Sequence, residues 1–395
     1  MPTASSLQVP SPALGTVSRL PQTSPTPADA SSPFVRLSRE AMALTFDLTS
    51  QAFSANIVQQ WKPVGGYIRR VRHEIISTGG SYTGTGTLNQ KGYSLIGTYL
   101  FRDPLGQPII NLDGDGLGFV NSFSGQIFLG FGARVSDLPS YVGVNTTTGA
   151  YTLNFWVPFE LNSAGYCSIP SLSAAAQPTL QMTLNSSAAV YQTTTVTTAS
   201  VFEIRAYTEF WTVPVNHPEL GPPGLGSSAQ WNYGIAAQKP ANSTNTFVTV
   251  PLVGTFIHTL GFQIRDAAST PVRQNNWPTT DLTLRVDGVP IRYETDGNRA
   301  DEMYLNTGTA GIALSAAAAS ANLTTDGWRA YTFRRSVSQL IGQQDTHDLL
   351  LYTTPATLLE VGGTFGSTGT SPDSIYCYLG TLFPNAAIPY AHLGA

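Results

Sequence analysis

Charge is what this chain of 395 residues has least of: Asp, Glu, Lys and Arg make up 11% of it. A soluble domain ordinarily carries about 25%. The 20 basic and 24 acidic residues leave a net charge of −4. Gripping nucleic acid needs concentrated positive charge, so direct nucleic-acid binding is not expected. Lysine is nearly absent, with Lys62, Lys91 and Lys239 the only three. Long apolar runs are missing too, and none approaches the roughly 18–20 residues of a membrane-spanning helix. The opening residues 1–15 lack a charged segment followed by an apolar one, so no secretory signal is expected. Cysteine is limited to Cys167 and Cys377, which match no metal-binding spacing. We read them as two buried free thiols of a chain made in a reducing cytoplasm, with a Cys167–Cys377 disulfide left open.

What is present is apolar and β-forming. A hydrophobic content of 42% with 10% aromatics excludes wholesale disorder. Residues 1–33 stand apart, because 18 of them are Pro, Ser or Thr. Such a stretch cannot offset its chain entropy by burial, so it reads as an extended arm. It is either an idle terminus or an arm that orders against a neighbouring subunit. Beyond about Phe46, dense turn residues (37 Gly and 27 Pro in the chain) punctuate short runs rich in Val, Ile, Thr, Tyr and Phe. In Val201–Trp211, Phe202, Ile204, Ala206, Thr208 and Phe210 share one face, and Glu203, Arg205, Tyr207 and Glu209 the other, as in a half-buried antiparallel strand. Asp287-Gly288 between apolar runs predicts a hairpin. Four prolines and three glycines within Pro214–Gly226 can continue neither strand nor helix.

The expected organisation is therefore an N-terminal arm over 1–43, a first β domain over 44–213, a Pro/Gly-rich junction over 214–229, a second β domain over 230–385, and a C-terminal tail over 386–395. Each β half, at about 160–170 residues, suits an eight-stranded jelly roll better than a smaller immunoglobulin-type sandwich. The fold class is all-β: two eight-stranded jelly-roll β-sandwiches in tandem, with a few short helices in loops. The helix candidates are Ser38–Ala43, Gly311–Leu323 and Thr332–Ile341.

The motifs of catalysis are missing: no nucleophile elbow, no phosphate-binding loop with its lysine, no zinc-binding helix pair. His73, His217, His258, His347 and His392 lie singly, and His73 and His258 fall in strands where a structural role is the expectation. Gly79–Gly86 reads as a loose hairpin loop rather than a phosphate cradle. Asn111–Gly116 places oxygen ligands at alternate positions, like the start of a calcium loop. Its twelfth position is Ser122, where a bidentate Glu is required, so a tight Asp-Gly turn is preferred and an ion at Asp113 and Asp115 stays open. Glu203 and Glu209 share a face but lie about 20 Å apart along a strand, too far for a catalytic pair. Asp301-Glu302 is the other acidic grouping. Arg69, Arg70, Arg72 and His73 form the densest basic patch and Arg334-Arg335 the second. We expect subunit contacts there, since interfaces favour Arg over Lys. No catalytic residue, cofactor site or metal site is assigned.

Several stretches, in order and spacing, resemble the major capsid protein of tectiviruses, whose double jelly-roll lineage includes adenovirus. They are Thr45–Asp47 with Val64–Val71; Leu100–Gln107 with Gly118–Ser122; Asn154-Phe-Trp-Val-Pro-Phe159; and Phe202–Tyr207. Trp328 with Phe333–Arg335, and Tyr376–Phe383, fit more loosely. The resemblance spans roughly residues 45–385. It implies a coat protein of an icosahedral bacteriophage with an internal membrane, three copies forming a pseudo-hexameric capsomer. Its partners would be itself, the capsid lattice, vertex or minor capsid proteins and that membrane; its place would be the virion shell. The family contributes no catalytic residues. Its N-terminal arm is helical, whereas residues 1–33 here hold too much proline for a continuous helix. The competing readings are a carbohydrate-binding or adhesive two-domain β-sandwich protein and a glycoside-active enzyme. The first would need an aromatic platform or calcium site, the second a close carboxylate pair.

Overall fold

The computed structural model describes residues 33–83, 87–88, 93–123, 141–144, 151–160, 165–173, 175, 177–192, 195–222, 228–238, 245–251, 256–265, 282–294, 328–333, 350–364 and 374–383. Helix α1 (Pro33–Leu37) precedes β1 (Glu40–Gln51), β2 (Asn56–Gln60), β3 (Gly66–Thr78), β4 (Ser81–Thr83) and β5 (Thr87–Leu88). Next come β6 (Ile96–Arg102), β7 (Pro108–Leu112), helix α2 (Gly114–Phe123), β8 (Tyr141–Val144) and β9 (Tyr151–Pro158). The first half ends with β10 (Ile169–Ser171), β11 (Thr179–Leu184), helix α3 (Ser187–Val190), β12 (Tyr191–Gln192), β13 (Thr195–Thr198) and β14 (Val201–Thr212). The second half holds β15 (Ser228–Gln238), β16 (Asn245–Thr249), β17 (Phe256–Arg265), β18 (Leu282–Val286) and β19 (Val289–Glu294). It closes with β20 (Trp328–Thr332), β21 (Leu351–Tyr352), β22 (Leu359–Thr364) and β23 (Ser374–Phe383).

The pairing order defines the fold. In the first half one sheet runs β1-β14-β3-β9, with β8 beyond β9 and β10 beside β3, and the other runs β2-β11-β6-β7. In the second half the orders are β15-β23-β17-β20 and β16-β22-β18-β19. Counting the eight principal strands of each half along the chain, both halves pair first, eighth, third and sixth in one sheet and second, seventh, fourth and fifth in the other. That is the jelly-roll order, two Greek keys wrapped into a sandwich. The chain is thus a tandem of two jelly rolls, with the repeat written in topology and not in any local sequence period.

Each roll buries its own core. Ile57, Ile75, Tyr99, Leu153, Phe155 and Ile204 belong to the first, and Leu260, Phe262, Leu284, Val361, Cys377 and Leu379 to the second. β14 alternates inward and outward as its sequence predicts. On β3 the buried face changes partway along: opposite Glu209 and Phe210 the register slips, so that Glu209 faces Arg70 while Phe210 faces Ile68. This bulge lets Ile68 and Val71 both enter the core.

Two local expectations fail. Ser38–Ala43 is not helical; the helix is Pro33–Leu37, and β1 begins at Glu40. Proline suits a first helical position, while Glu40–Ala43 lie opposite Trp211–Thr208, so cross-strand packing overrides their helix propensity. Asp113-Gly114 is not a tight turn either. The Asp113 carboxylate accepts the Gly116 amide at 2.8 Å and caps α2. The hairpin at Asp287-Gly288 is present, with φ of 50° and 81°, joining β18 to β19. Gly311–Leu323 lies outside the described residues, and so does Thr332–Ile341 apart from Thr332, in β20, and Phe333. Among the described residues no helix is long and apolar enough to cross a membrane.

Candidate functional site

The two rolls meet along a built seam. β7 of the first pairs in parallel with β15 of the second, Ile110 opposite Trp231 and Asn111 opposite Asn232. One sheet therefore runs β2-β11-β6-β7-β15-β23-β17-β20 through both rolls. Helix α2, which follows β7, lies across the join. Its Phe119 stacks on Tyr378 (centroids 5.4 Å apart, planes 20°) and meets Trp231 edge-on at 6.3 Å. Gly261 makes room for it, since a Cβ there would lie 2.3 Å from Phe119 Cζ. Glycine in α2 serves the same purpose: a Cβ on Gly114 would sit 2.0 Å from the Tyr93 carbonyl oxygen. This close approach explains how GDGLGFVNSF forms a helix despite its propensity. Tyr166 and Cys167 of the first roll add a smaller apolar contact with Ala229, Phe256 and Leu382 of the second.

The suspected calcium loop turns out to be the polar lock of this seam. Arg265, at the end of β17, reaches Asp113 at 2.6 Å and Asp115 at 3.0 Å. It also donates to Gln263 at 2.8 Å, contacts the Tyr378 hydroxyl and lies 3.9 Å over the Tyr376 ring. Burial works against the guanidinium charge, but the Asp115 and Asp113 carboxylates outweigh it and hold its pKa well above the ordinary arginine value. Burial drives the Tyr378 hydroxyl well up as well, so it stays protonated. Buried charges persist when each is paired and hydrogen-bonded, and this network meets that condition.

The basic patch on β3 also faces inward to its own chain, which corrects the expectation of subunit-contact arginines at Arg69 and Arg70. Arg69 donates to buried Glu160 through Nε (2.8 Å) and Nη2 (2.6 Å), pairs with Glu40 and lies 4.3 Å over Trp211. Trp211 Nε1 donates to the other Glu160 oxygen at 3.1 Å. Arg70 pairs with Glu209 and lies 3.6 Å over Trp156. Arg72 is half-buried on the same strand. Phe34 of α1 completes this corner, edge-on to Tyr67 at 5.3 Å. Glu203 is taken up by Arg205, so Glu203 and Glu209 serve separate ion pairs.

The histidines divide by burial. His73 is fully buried in the first core, stacked on Phe155 at 4.9 Å and 2.8 Å from the Tyr99 hydroxyl; burial pushes its pKa down to about 3. His258 is buried against Trp231, and His217 is exposed beside Glu219 at 3.1 Å. Gly79 and Gly80, both at positive φ, turn the chain from β3 into β4. Cys167 and Cys377 are buried and unbridged, and burial raises the Cys377 thiol to about 12. Gly84–Gly86, Asp301-Glu302, Arg334-Arg335, His347 and His392 lie outside the described residues. Among the described residues no group of three His, Cys, Asp or Glu is placed to hold a metal. Glu160, Arg265, Phe119 and Tyr378 escaped the sequence reading. For Glu160 and Arg265 the available signal was a charge closing an apolar strand run.

Fold, seam and cores together define a double jelly-roll protein. No protein-family model and no curated protein matches the sequence. Solved structures do. The major capsid protein of STIV, the Sulfolobus turreted icosahedral virus, aligns at 14% identity and TM-score 0.58, covering 88% of this chain and 97% of that one. The PBCV-1 virus capsid aligns at 12% and 0.59, covering 87% and 94%. The Faustovirus major capsid protein aligns at 10% and 0.53, covering 87% and 90%. The fold is the one that the resemblance to tectivirus coat proteins implies.

Proposed function

We propose that this chain is the major capsid protein of an icosahedral bacteriophage with an internal membrane, resident in the virion shell and without enzymatic activity. The observation that carries the reading is the seam: two rolls of identical strand order joined as one body by β7–β15 and α2. Such a body is a building unit made of two rolls of like topology. The structures that share the fold are viral capsid proteins. In this reading three copies close a ring of six rolls, the pseudo-hexameric capsomer, which then tiles the shell with vertex and minor capsid proteins. Sparse charge suits a molecule whose outer surface is buried against copies of itself. Residues 1–32, entering at the Phe34 anchor, would clamp a neighbouring subunit.

The test is the solution mass by light scattering on a sizing column, followed by electron microscopy of assembled shells. The reading expects about 126 kDa, three times 42.1 kDa. A monomer of 42.1 kDa at micromolar concentration, with no shells under any assembly condition, would overturn it. Removal of residues 1–32 should leave the trimer intact and impair shell formation; normal closed shells from the shortened chain would contradict the clamp.

A further inference from the structure

The two rolls point the same end in the same direction. In the first roll β1 and β3 begin at this end and β14 stops there, with Glu40 opposite Trp211 and Trp211 opposite Tyr67. In its other sheet β2 and β6 stop there and β11 and β7 begin, with Thr179 opposite Gln60 and Arg102, and Arg102 opposite Pro108. In the second roll β15 and β17 begin at the corresponding end, Ala229 and Phe256 both lying opposite Leu382. Because β7 and β15 run parallel, with Ile110 beside Trp231, the two ends lie on one side of the molecule. The chain enters here as well: α1 leads into Arg39, whose carbonyl accepts the Thr212 amide at 2.9 Å.

The tips of this end are apolar. Leu37, Leu105, Leu172 and Val215 of the first roll, with Tyr352 and Leu358 of the second, are between 43% and 92% exposed. At the opposite end Val201, at 37%, is the one exposed large apolar side chain among the described residues. The tips are held in place. The Asp103 carboxylate accepts the Leu105 and Gln107 amides at 2.9 and 2.8 Å. The His217 amide donates to the Pro214 carbonyl at 3.2 Å and closes the turn that carries Val215. Asp287 accepts the Leu358 amide at 2.8 Å. Exposed charges around the tips balance, Arg36, Arg39 and Lys62 against Glu40, Glu219 and Asp287, so the surface selects for neither an anionic nor a cationic partner.

Thirty-two residues precede Pro33 at this end, and Arg19 and Asp29 are their only charges. Leu14, Val17 and Leu20 recur at every third position. A polyproline II chain has three residues per turn, so on it these side chains share one face. Phe34 is fourteen positions beyond Leu20, a reach of about 43 Å at 3.1 Å per residue. Leu105, between β6 and β7, and Tyr352, beside β17, are separated by four to five strand spacings, roughly 20–24 Å. The arm is therefore long enough to cross both rolls.

We infer that residues 14–20 dock on this end of their own chain, laying Leu14, Val17 and Leu20 against the apolar tips on both sides of the seam. A segment already stiffened by proline gives up less freedom on docking than a flexible one. Residues 1–13 are left to reach a neighbouring copy. The contact lies within one chain, so it stands or falls apart from the capsid reading.

The test is the triple variant Leu14→Ser, Val17→Ser and Leu20→Ser in the full chain, read by binding of a dye that fluoresces on apolar surface. Leu7→Ser with Val9→Ser is the control. The triple variant should bind several-fold more dye than the wild type, and the control should match the wild type. Val17→Cys with Val215→Cys, treated with a flexible thiol cross-linker, should give a linked species that still runs at 42.1 kDa, the native thiols being buried. Linkage at twice that mass would place the segment on another copy and overturn docking within the chain. Equal dye binding by wild type and triple variant, with no link formed, would overturn it too; flotation of the wild type with phosphatidylglycerol vesicles would then assign the apolar end to a lipid surface. Neither failure alters the solution mass by which the capsid reading is tested.

Discussion

Protonation of a single buried imidazole should set much of the acid limit of the first roll. His73 sits among Phe46, Trp61, Tyr99 and Phe155, and burial depresses its pKa from 6.5 to about 3. In the unfolded chain the same group protonates below pH 6.5. Between the two values the unfolded state binds the extra proton, so stability is fully present above about pH 6.5 and is lost as pH falls toward 3. The slope cannot exceed roughly 1.4 kcal/mol per pH unit, and the whole interval amounts to about 4–5 kcal/mol. His73→Phe keeps an aromatic ring against Phe155 and removes the titration. At pH 7 the variant should be less stable by about 1–3 kcal/mol, because the Tyr99 hydroxyl loses its partner. By pH 4 the difference should have moved about 3 kcal/mol in the variant's favour. Urea unfolding at pH 7, 6, 5 and 4, read alongside amide exchange in β3, measures this directly. Wild-type and variant curves that stay parallel over that range would refute the reasoning.

The remaining predictions concern the seam. Phe119→Ala should lower stability by about 3–5 kcal/mol, visible as a reduced melting temperature. Gly261→Ala places a Cβ against Phe119 and should also destabilise; the double variant should be more stable than the sum of the two losses implies, which a double-mutant cycle reads out. Arg265→Met strands Asp113 and Asp115 without their counter-charge and should cost about 3–5 kcal/mol at pH 7, measured by denaturant titration. Millimolar calcium should leave the melting temperature unchanged, since Arg265 already satisfies both carboxylates; a rise of several degrees would show that an ion competes for them.

Sequence reading reached the architecture where local signals and tertiary structure agree. Val201–Trp211 alternates in sequence and in burial, and Asp287-Gly288 turns where its positive φ angles demand. It failed where a residue's role depends on a distant partner. Arg69 and Arg70 look like a surface patch until Glu160, Trp211, Glu209 and Trp156 are brought to them. α2 is illegible because its glycines answer to Tyr93 and Tyr378 rather than to helix propensity. The duplication was legible from the length of each β half and the Pro/Gly-rich stretch between them, while the strand order itself leaves no sequence period when different apolar residues fill equivalent positions.

The seam also constrains how the molecule can deform. Hydrogen bonding between β7 and β15 opposes sliding of one roll past the other, and Phe119 with the Asp113–Arg265–Asp115 bridge opposes opening about that strand pair. Neither motion is free, so the two rolls behave as a stiff unit. A surface built from such units bends only at the lines between them. Any change in its curvature, whether at a vertex or under pressure from within, must be absorbed by contacts between molecules.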